Sequence, residues 1–342
     1  MTRGPRDTVF LLTDYGYEDE FAGVTRAVVL RWAPAAPVVD LTHGVPPFDV
    51  RAGAQILSRS VVHLGPGVVV AVVDPGVGSG RRAVAVAVAG RTESTRAGSA
   101  PAGPTRAGSA PAGPTGAGPT RAGRPGDGRP GDGRPGDGPR YLVGPDNGLL
   151  GWAIDALGGA RAAVALPAAA AVAEGGATFD GRDLFAPVAA RLWLGAGLND
   201  VGIPIDPEAL VRLPAPRLKV EAGSVECEVQ WVDRFGNAQL AAPAEDAGRA
   251  GIDEDVEISV EGSSRVGRRV RSFAALEGEE VGLLVDANGQ LSLVCDRRSA
   301  ATVLGVRAGD MVRLRPASPP RPPTGPEAAP PRSATPLRPG SP

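Results

Sequence analysis

Chemically reactive side chains are scarce in this chain of 342 residues. The two cysteines, Cys227 and Cys295, exclude a disulfide framework and a cysteine-based zinc site. The two histidines, His43 and His63, form no His-x-x-x-His pair, and no Ser-His-Asp set is available. Zinc enzymes and triad serine hydrolases are thereby largely excluded. A core or surface role is the simpler reading for His63. Aromatic residues are only 4% of the chain, and Lys219 is its one lysine, so nearly all positive charge is arginine. No run reaches the ~20 apolar residues of a membrane span. The opening MTRGPRDTVFLLTDYG has no apolar stretch of signal-peptide length. The expectation is a soluble, cytoplasmic protein with no membrane partner.

Glycine and proline, by contrast, are abundant, with 48 and 35 residues. They are concentrated in two places. Residues 91–139 contain TRAGSAPAGP twice in tandem and GRPGD three times, periods too short and too poor in apolar residues for a solenoid. They read as a flexible low-complexity insertion between strands. Residues 316–342 form a Pro-rich tail, also expected to be disordered. The insertion carries a net charge of +3 and the tail +2, which leaves −7 on the remainder of a chain whose total is −2. An acidic core argues against nucleic acid as a partner and tolerates a cationic ligand.

The remaining sequence changes character once. Residues 8–13 (TVFLLT), 37–41, 68–73 and 83–89 read as buried strands, with helices over Glu18 to Trp32 and over 50–62, the latter capped by Asp49. Strands at 140–143 and 162–166 and helices at 148–157 and 184–194 continue the alternation. That pattern predicts an α/β domain with a largely parallel sheet over residues 1–205. Beyond a proline cluster, short β-type runs (217–220, 224–232, 255–260, 280–285, 290–295 and 311–315) predict a smaller all-β, barrel-like domain over 206–315.

Ligands of open α/β sheets lie beyond the carboxyl ends of the strands. Asp14 and Asp74 end two of the predicted strands. Asp74 opens DPGVGSGRR, which fits neither phosphate-loop pattern; a tight turn with a solvated Arg81–Arg82 pair is the plain reading. GPDNGLL (144–150) places Asp146 and Asn147 before a helix, and TFDGRDLF (178–185) places Asp180, Arg182 and Asp183 there; in each case a cap suffices. VDRFGN (232–237) puts Asp233, Phe235 and Asn237 around Gly236, and a hairpin turn explains all but the phenylalanine.

Taken in order, seven segments resemble one family. They are TDYGYEDEFAGVTRAVVL (13–30), VVDLTHGVPPFDVRAGAQIL (38–57), VVDPGVGSGRRAVAV (72–86), GPDNGLL, TFDGRDLFAPVAA (178–190), VDRFGN and NGQLSLVCDRRSAATVLGVRAGDMV (288–312). The family is the S-adenosyl-L-methionine (SAM) hydrolases (adenosine-forming), also called SAM hydroxide adenosyltransferases, related to the fluorinase and chlorinase. The resemblance implies hydrolysis of SAM to adenosine and L-methionine, with SAM as substrate, no cofactor and no metal. It implies a homotrimer with active sites between the first domain of one subunit and the β domain of its neighbour. By position, Asp14 holds the ribose hydroxyls and Phe48 lines the pocket beside them. Phe235 and Asn237 contact the adenine, and Asp233 pairs with the methionine ammonium. Asp74 and Arg81 correspond to the Asp and Arg that organise the attacking water.

The chain departs from the family at three places. A histidine of the family falls at Asp180. The Ser-Gly-Tyr turn of the β domain is replaced around Ala287, Asn288, Gly289 and Gln290, and FGN is followed by AQL rather than Thr-Asn. Asp180 is therefore a third candidate catalytic residue. Two other functions stay open on the sequence: a SAM-dependent nucleophilic halogenase, and a non-catalytic SAM or adenosine binder.

Overall fold

The computed structural model describes residues 7–90, 140–167 and 178–317. The repeat-built segment 91–139 and the tail beyond residue 317 lie outside those residues.

The first half of the chain builds one seven-stranded sheet. Its elements are β1 (Thr8–Thr13), α1 (Phe21–Trp32), β2 (Val38–Thr42), α2 (Val50–Val61), β3 (Gly67–Val72), β4 (Ala83–Val88), β5 (Tyr141–Pro145), α3 (Gly151–Ala156), β6 (Ala160–Leu166), α4 (Ala186–Trp193), α5 (Leu198–Val201) and β7 (Ile203–Ile205). The strand order is β2-β1-β3-β5-β4-β6-β7. The β2-β1-β3-β5 portion is parallel throughout, while β4 and β7 run against it. The sheet is thus largely parallel. Unbroken apolar runs such as Val68–Val72 and Val84–Val86 follow from burial on both faces. One face packs on α1 and α4 through Val29, Val188 and Phe185. The other packs on α2 and α3 through Leu57, Val61 and Ile154.

The connection from β1 leads to β2 on one side, and that from β3 leads toward β4 on the other. The carboxyl ends of β1 and β3 therefore flank a topological switch point, the place where such sheets open a crevice for a ligand. Thr13 lies opposite Val72 in the register, so Asp14 and Asp74 emerge side by side from that crevice.

The second half is a β barrel. Its elements are β8 (Leu218–Glu221), β9 (Ser224–Val232), β10 (Ala238–Pro243), α6 (Ala244–Arg249), β11 (Asp255–Val260), β12 (Ser263–Arg269), β13 (Gly282–Val285), β14 (Gln290–Val294), α7 (Ala300–Leu304) and β15 (Met311–Pro316). The order β10-β14-β13-β12-β11-β15-β9 closes where β10 pairs back onto β9. Strand β8 flanks the ring, using the first half of the β9 edge that β10 uses in its second half. Closure removes most free edges and encloses a core of Val229, Leu240, Ile258, Leu283, Leu291 and Leu314. Both cysteines are free and buried, and desolvation pushes the Cys227 thiol up to about 12.

Two barrel strands escape a reading of the sequence. Strand β12 (SSRVGRR) has almost no apolar alternation and is largely exposed. It exists because Glu261 and Gly262 both adopt positive φ, 41° and 85°, as a tight hairpin turn requires, and this pairs it to β11. Strand β10 follows the FGN turn so closely that its apolar residues read as part of that motif.

The two halves meet along one face of α2. Arg51, Gln55 and Arg59, spaced four apart, reach Glu228 (2.6 Å), Gln230 (2.5 Å) and Gln239 on β9 and β10.

Candidate active site

Three of the expected residues converge at the end of β3. The Gly-rich turn after Asp74 is tight, with Val77 N–H bonded to the Asp74 carbonyl (3.2 Å) and Ser79 N–H to that of Gly76 (3.0 Å). It folds Arg81 back on its own start. Arg81 Nε donates to Asp74 Oδ1 at 3.0 Å and Nη2 to Asp74 Oδ2, a two-pronged pair. The same Nη2 donates to Asp180 Oδ2 at 2.5 Å. The solvated arginine pair of the plain reading is thus corrected. The Arg81 side chain is 13% exposed, and those of Asp74 and Asp180 are 5% and 19% exposed. Burial disfavours the guanidinium charge, but hydrogen bonds and charges from Asp74 and Asp180 outweigh it and its pKa is raised. Arg82 departs from the site to pair with Asp146, which also accepts the Val211 N–H. Asp146 is therefore structural, as is Asn147, whose amide donates to the Val73 carbonyl and braces the end of β3.

Asp180 precedes a turn of π-helix, Gly181–Phe185, that runs into α4. Its side chain makes no capping bond; it reaches across to Arg81 instead. Cap chemistry therefore does not account for Asp180. The neighbouring Arg182 and Asp183 pair with each other at 2.6 Å.

Asp14 sits beside this cluster. Its Oδ2 accepts the Phe48 N–H at 2.9 Å. Desolvation raises its pKa, the Phe48 bond opposes that, and the charge of Asp74 adds to it. Phe48 holds a left-handed backbone (φ 67°), an arrangement that costs a non-glycine residue about 1–3 kcal/mol. The strain aims its N–H at Asp14 and leaves its ring 71% exposed.

The loop bearing Asp14 is tied down by His43, which the sequence left without a role. The ring is buried, with Nδ1 2.7 Å from Thr13 Oγ1 and Nε2 3.4 Å from Asp40 Oδ1. Thr13 Oγ1 in turn accepts the Tyr15 N–H, and the His43 carbonyl accepts that of Gly16. Tyr15, Phe21 and Phe179 form an edge-to-face aromatic group behind the loop. Neither His43 nor Tyr15 carries a sequence signal stronger than its place in a motif.

The remaining three candidates lie on the barrel, in the β9–β10 turn. Asp233 Oδ1 accepts the N–H groups of Phe235 and Asn237, and Oδ2 accepts the Asn237 amide at 2.8 Å. Asp233 and Asn237 thus engage each other and shape the turn. The Phe235 ring is thrown outward, 72% exposed, over a shallow concavity of about 620 Å³ lined by Ser299, Thr302 and Arg307. Nearby, Asp286 holds the 286–290 turn by accepting the N–H groups of Asn288 and Gln290.

Among the described residues, no hydrogen bond, ion pair or ring contact joins the Asp14–Asp74–Arg81–Asp180 group to the Asp233–Phe235–Asn237 group. Arg59, near the end of α2, feels the charges of Asp286 and Asp233. Phe48 lies just before the start of the same helix, whose nine steps from Val50 to Arg59 span about 14 Å at 1.5 Å per residue. The two halves of the expected site are therefore set apart along α2.

Residues 9–93 and 137–202 match the N-terminal domain, and residues 227–313 the C-terminal domain, of the SAM hydroxide adenosyltransferases. The chain belongs to this family. An (R)-S-adenosyl-L-methionine hydrolase from Salinispora tropica is 39% identical over 91% of this chain and 98% of its own length. One of the same name from Thermus thermophilus is 36% identical over 90% and 98%. A solved structure of an uncharacterized conserved protein from Thermotoga maritima superposes with a TM-score of 0.71 at 26% identity, covering 90% of this chain and all of the other. Among the described residues of this family member, no group of three His, Cys, Asp or Glu is placed to hold a metal ion, and no helix is long and apolar enough to cross a membrane.

Proposed function

We propose that the protein hydrolyses S-adenosyl-L-methionine to adenosine and L-methionine by in-line attack of water on ribose C5′. The observation that carries this reading is the single buried guanidinium shared by Asp74 and Asp180 at the switch point. SAM is a sulfonium, and methionine leaves as a neutral thioether, so no acid is needed. The demand is for an oriented water and a place for its proton. Asp74 spends both oxygens on Arg81, whereas Asp180 spends only Oδ2, and among the described residues its Oδ1 has no protein partner. Asp180 Oδ1 is the proton acceptor in this reading, and Asp74 fixes the guanidinium. The water oxygen bonds to C5′, the C5′–S pair goes to sulfur, and the water's proton goes to Asp180. The two carboxylates outnumber the one guanidinium, which favours the cationic substrate.

Asp14 binds the ribose hydroxyls beside Phe48. Phe235 stacks on the adenine, Asn237 bonds it and Asp233 takes the ammonium, all three from a neighbouring copy in a homotrimer. The exposure of Phe48 and Phe235, and their separation along α2, support a site shared between subunits. The unpaired thiols fit a cytoplasmic enzyme, and no cofactor is required by this chemistry.

The test is incubation of purified protein with SAM and chromatography for adenosine, alongside light scattering for a mass three times the 34.6 kDa of the chain. A folded trimer that releases no adenosine overturns the reading. A halogenase would yield 5′-halo-5′-deoxyadenosine in halide buffer, an outcome opposed by the carboxylate pair, which repels an anionic nucleophile. A plain binder would show calorimetric SAM binding without turnover.

A further inference from the structure

Tyr15 makes no hydrogen bond through its hydroxyl among the described residues, although the residue is largely buried and lies inside the charged cluster. Its ring is wedged against Phe21 and Phe179, at centroid distances of 6.0 and 5.5 Å. That packing directs the hydroxyl onto the first residue of the π-helical turn. A Cβ on Gly181 would lie 2.2 Å from the hydroxyl oxygen, so glycine there is the space the hydroxyl occupies. Asp14, Asp74, Asp180 and Arg81 are all near enough for their charges to act on it. Burial first, and then the three carboxylates, raise its pKa, so the phenol stays protonated and acts only as a neutral donor and acceptor.

The attacking water needs partners on all four sides. One lone pair faces C5′, and one O–H group is met by Asp180 Oδ1. The second lone pair needs a donor. Arg81 Nε and Nη2 are committed to Asp74 and Asp180. Among the described residues, the Tyr15 hydroxyl is a neutral donor at the cluster that no protein group engages, set against Gly181 next to Asp180. We propose that Tyr15 is a further catalytic residue, whose hydroxyl donates to the nucleophilic water and turns its remaining lone pair in line with C5′. The inference rests on the hydrolase reading above. Tyr15 keeps its proton throughout; the proton released by the water goes to Asp180.

The experiment is Tyr15→Phe in the full chain, with adenosine release measured against SAM concentration and pH. Loss of one hydrogen bond to the reacting oxygen predicts a fall in kcat of roughly 10- to 100-fold. KM, the shape of the pH profile, calorimetric adenosine binding and Tm stay those of the wild type. Gly181→Ala, which pushes the hydroxyl aside, gives a comparable loss of kcat in the wild-type background and little further loss on Tyr15→Phe. A Tyr15→Phe kcat equal to wild type, a loss confined to KM, or a displaced pH profile overturns the role of Tyr15 while the hydrolase reading stands. A wild-type chain that releases no adenosine overturns both.

Discussion

Replacing Asp180 by asparagine separates the route of the proton from the integrity of the cluster. Asparagine keeps the size of the side chain and one carbonyl oxygen for Arg81, and Arg81 keeps both oxygens of Asp74. The structural loss is then the difference between a charged and a neutral acceptor at a 2.5 Å contact between side chains that are 19% and 13% exposed. That amounts to about 1 kcal/mol, or a Tm lower by about 2–4 °C. The chemical loss is far larger. The atom replacing Oδ1 becomes an amide nitrogen that cannot accept a proton, so kcat falls ~10²–10⁴-fold with KM little changed. Asp180→His puts back a proton acceptor of another type, the one the sequence resemblance implies at this position, and keeps kcat within about tenfold of wild type. Adenosine release followed by chromatography gives kcat and KM, and a thermal melt gives the stability term. An Asp180→Asn enzyme with kcat within about threefold of wild type refutes the reasoning and moves the acceptor role to Asp74.

Asp14→Asn should trade function for stability. Burial raises the Asp14 pKa above its ordinary 3.8, so its favourable contribution to folding is present below that value and is lost as pH rises through the folded-state pKa. The variant should therefore melt higher than wild type at pH 7, with the difference closing below pH 3.8, while SAM hydrolysis is lost; an unchanged Tm at pH 7 contradicts the burial argument. Phe235→Ala removes a ring that is 72% exposed, so Tm should not move. Loss of base stacking should raise KM roughly 10- to 100-fold, and steady-state kinetics with an unchanged melt would check both halves. Gly236→Ala forces a side chain onto φ 84° and places Cβ 2.2 Å from Ser299 Oγ. It should cost at least ~2 kcal/mol in denaturant unfolding and lower activity by deforming the turn that holds Asp233 and Asn237.

The boundaries of β1, α2, β9 and β11 were legible to within a residue because each is a strong periodic or unbroken apolar run with a clear stop. Strand β12 was not, since it is held by a two-residue turn at Glu261–Gly262 and by pairing with β11 rather than by apolar side chains. Strand β10 was hidden by its closeness to the FGN turn. The same distinction applies to the site. Asp14, Asp74 and Asp233 stand at strand ends or turns, where local sequence marks them. Arg81 and Asp180 were singled out by their motifs, but that the Arg81 guanidinium serves Asp74 and also Asp180, 99 residues further along the sequence, is a tertiary fact.

Local sequence determined the alternating α/β first half, the β second half, the low number of redox and metal-binding side chains, and the presence of seven family segments in order. Those features depend on periodicity, turn chemistry and composition, which act over a few residues at a time. Tertiary structure alone decided that β1 and β3 lie side by side at the switch point, that β10 closes the barrel on β9, and that α2 holds the two groups of candidate residues apart. It also decided that the Tyr15 hydroxyl enters the cluster while His43 stays behind the loop. These outcomes depend on which strands pair and which helix crosses which face, and such long-range choices bring distant charges together without leaving a mark on the residues that carry them.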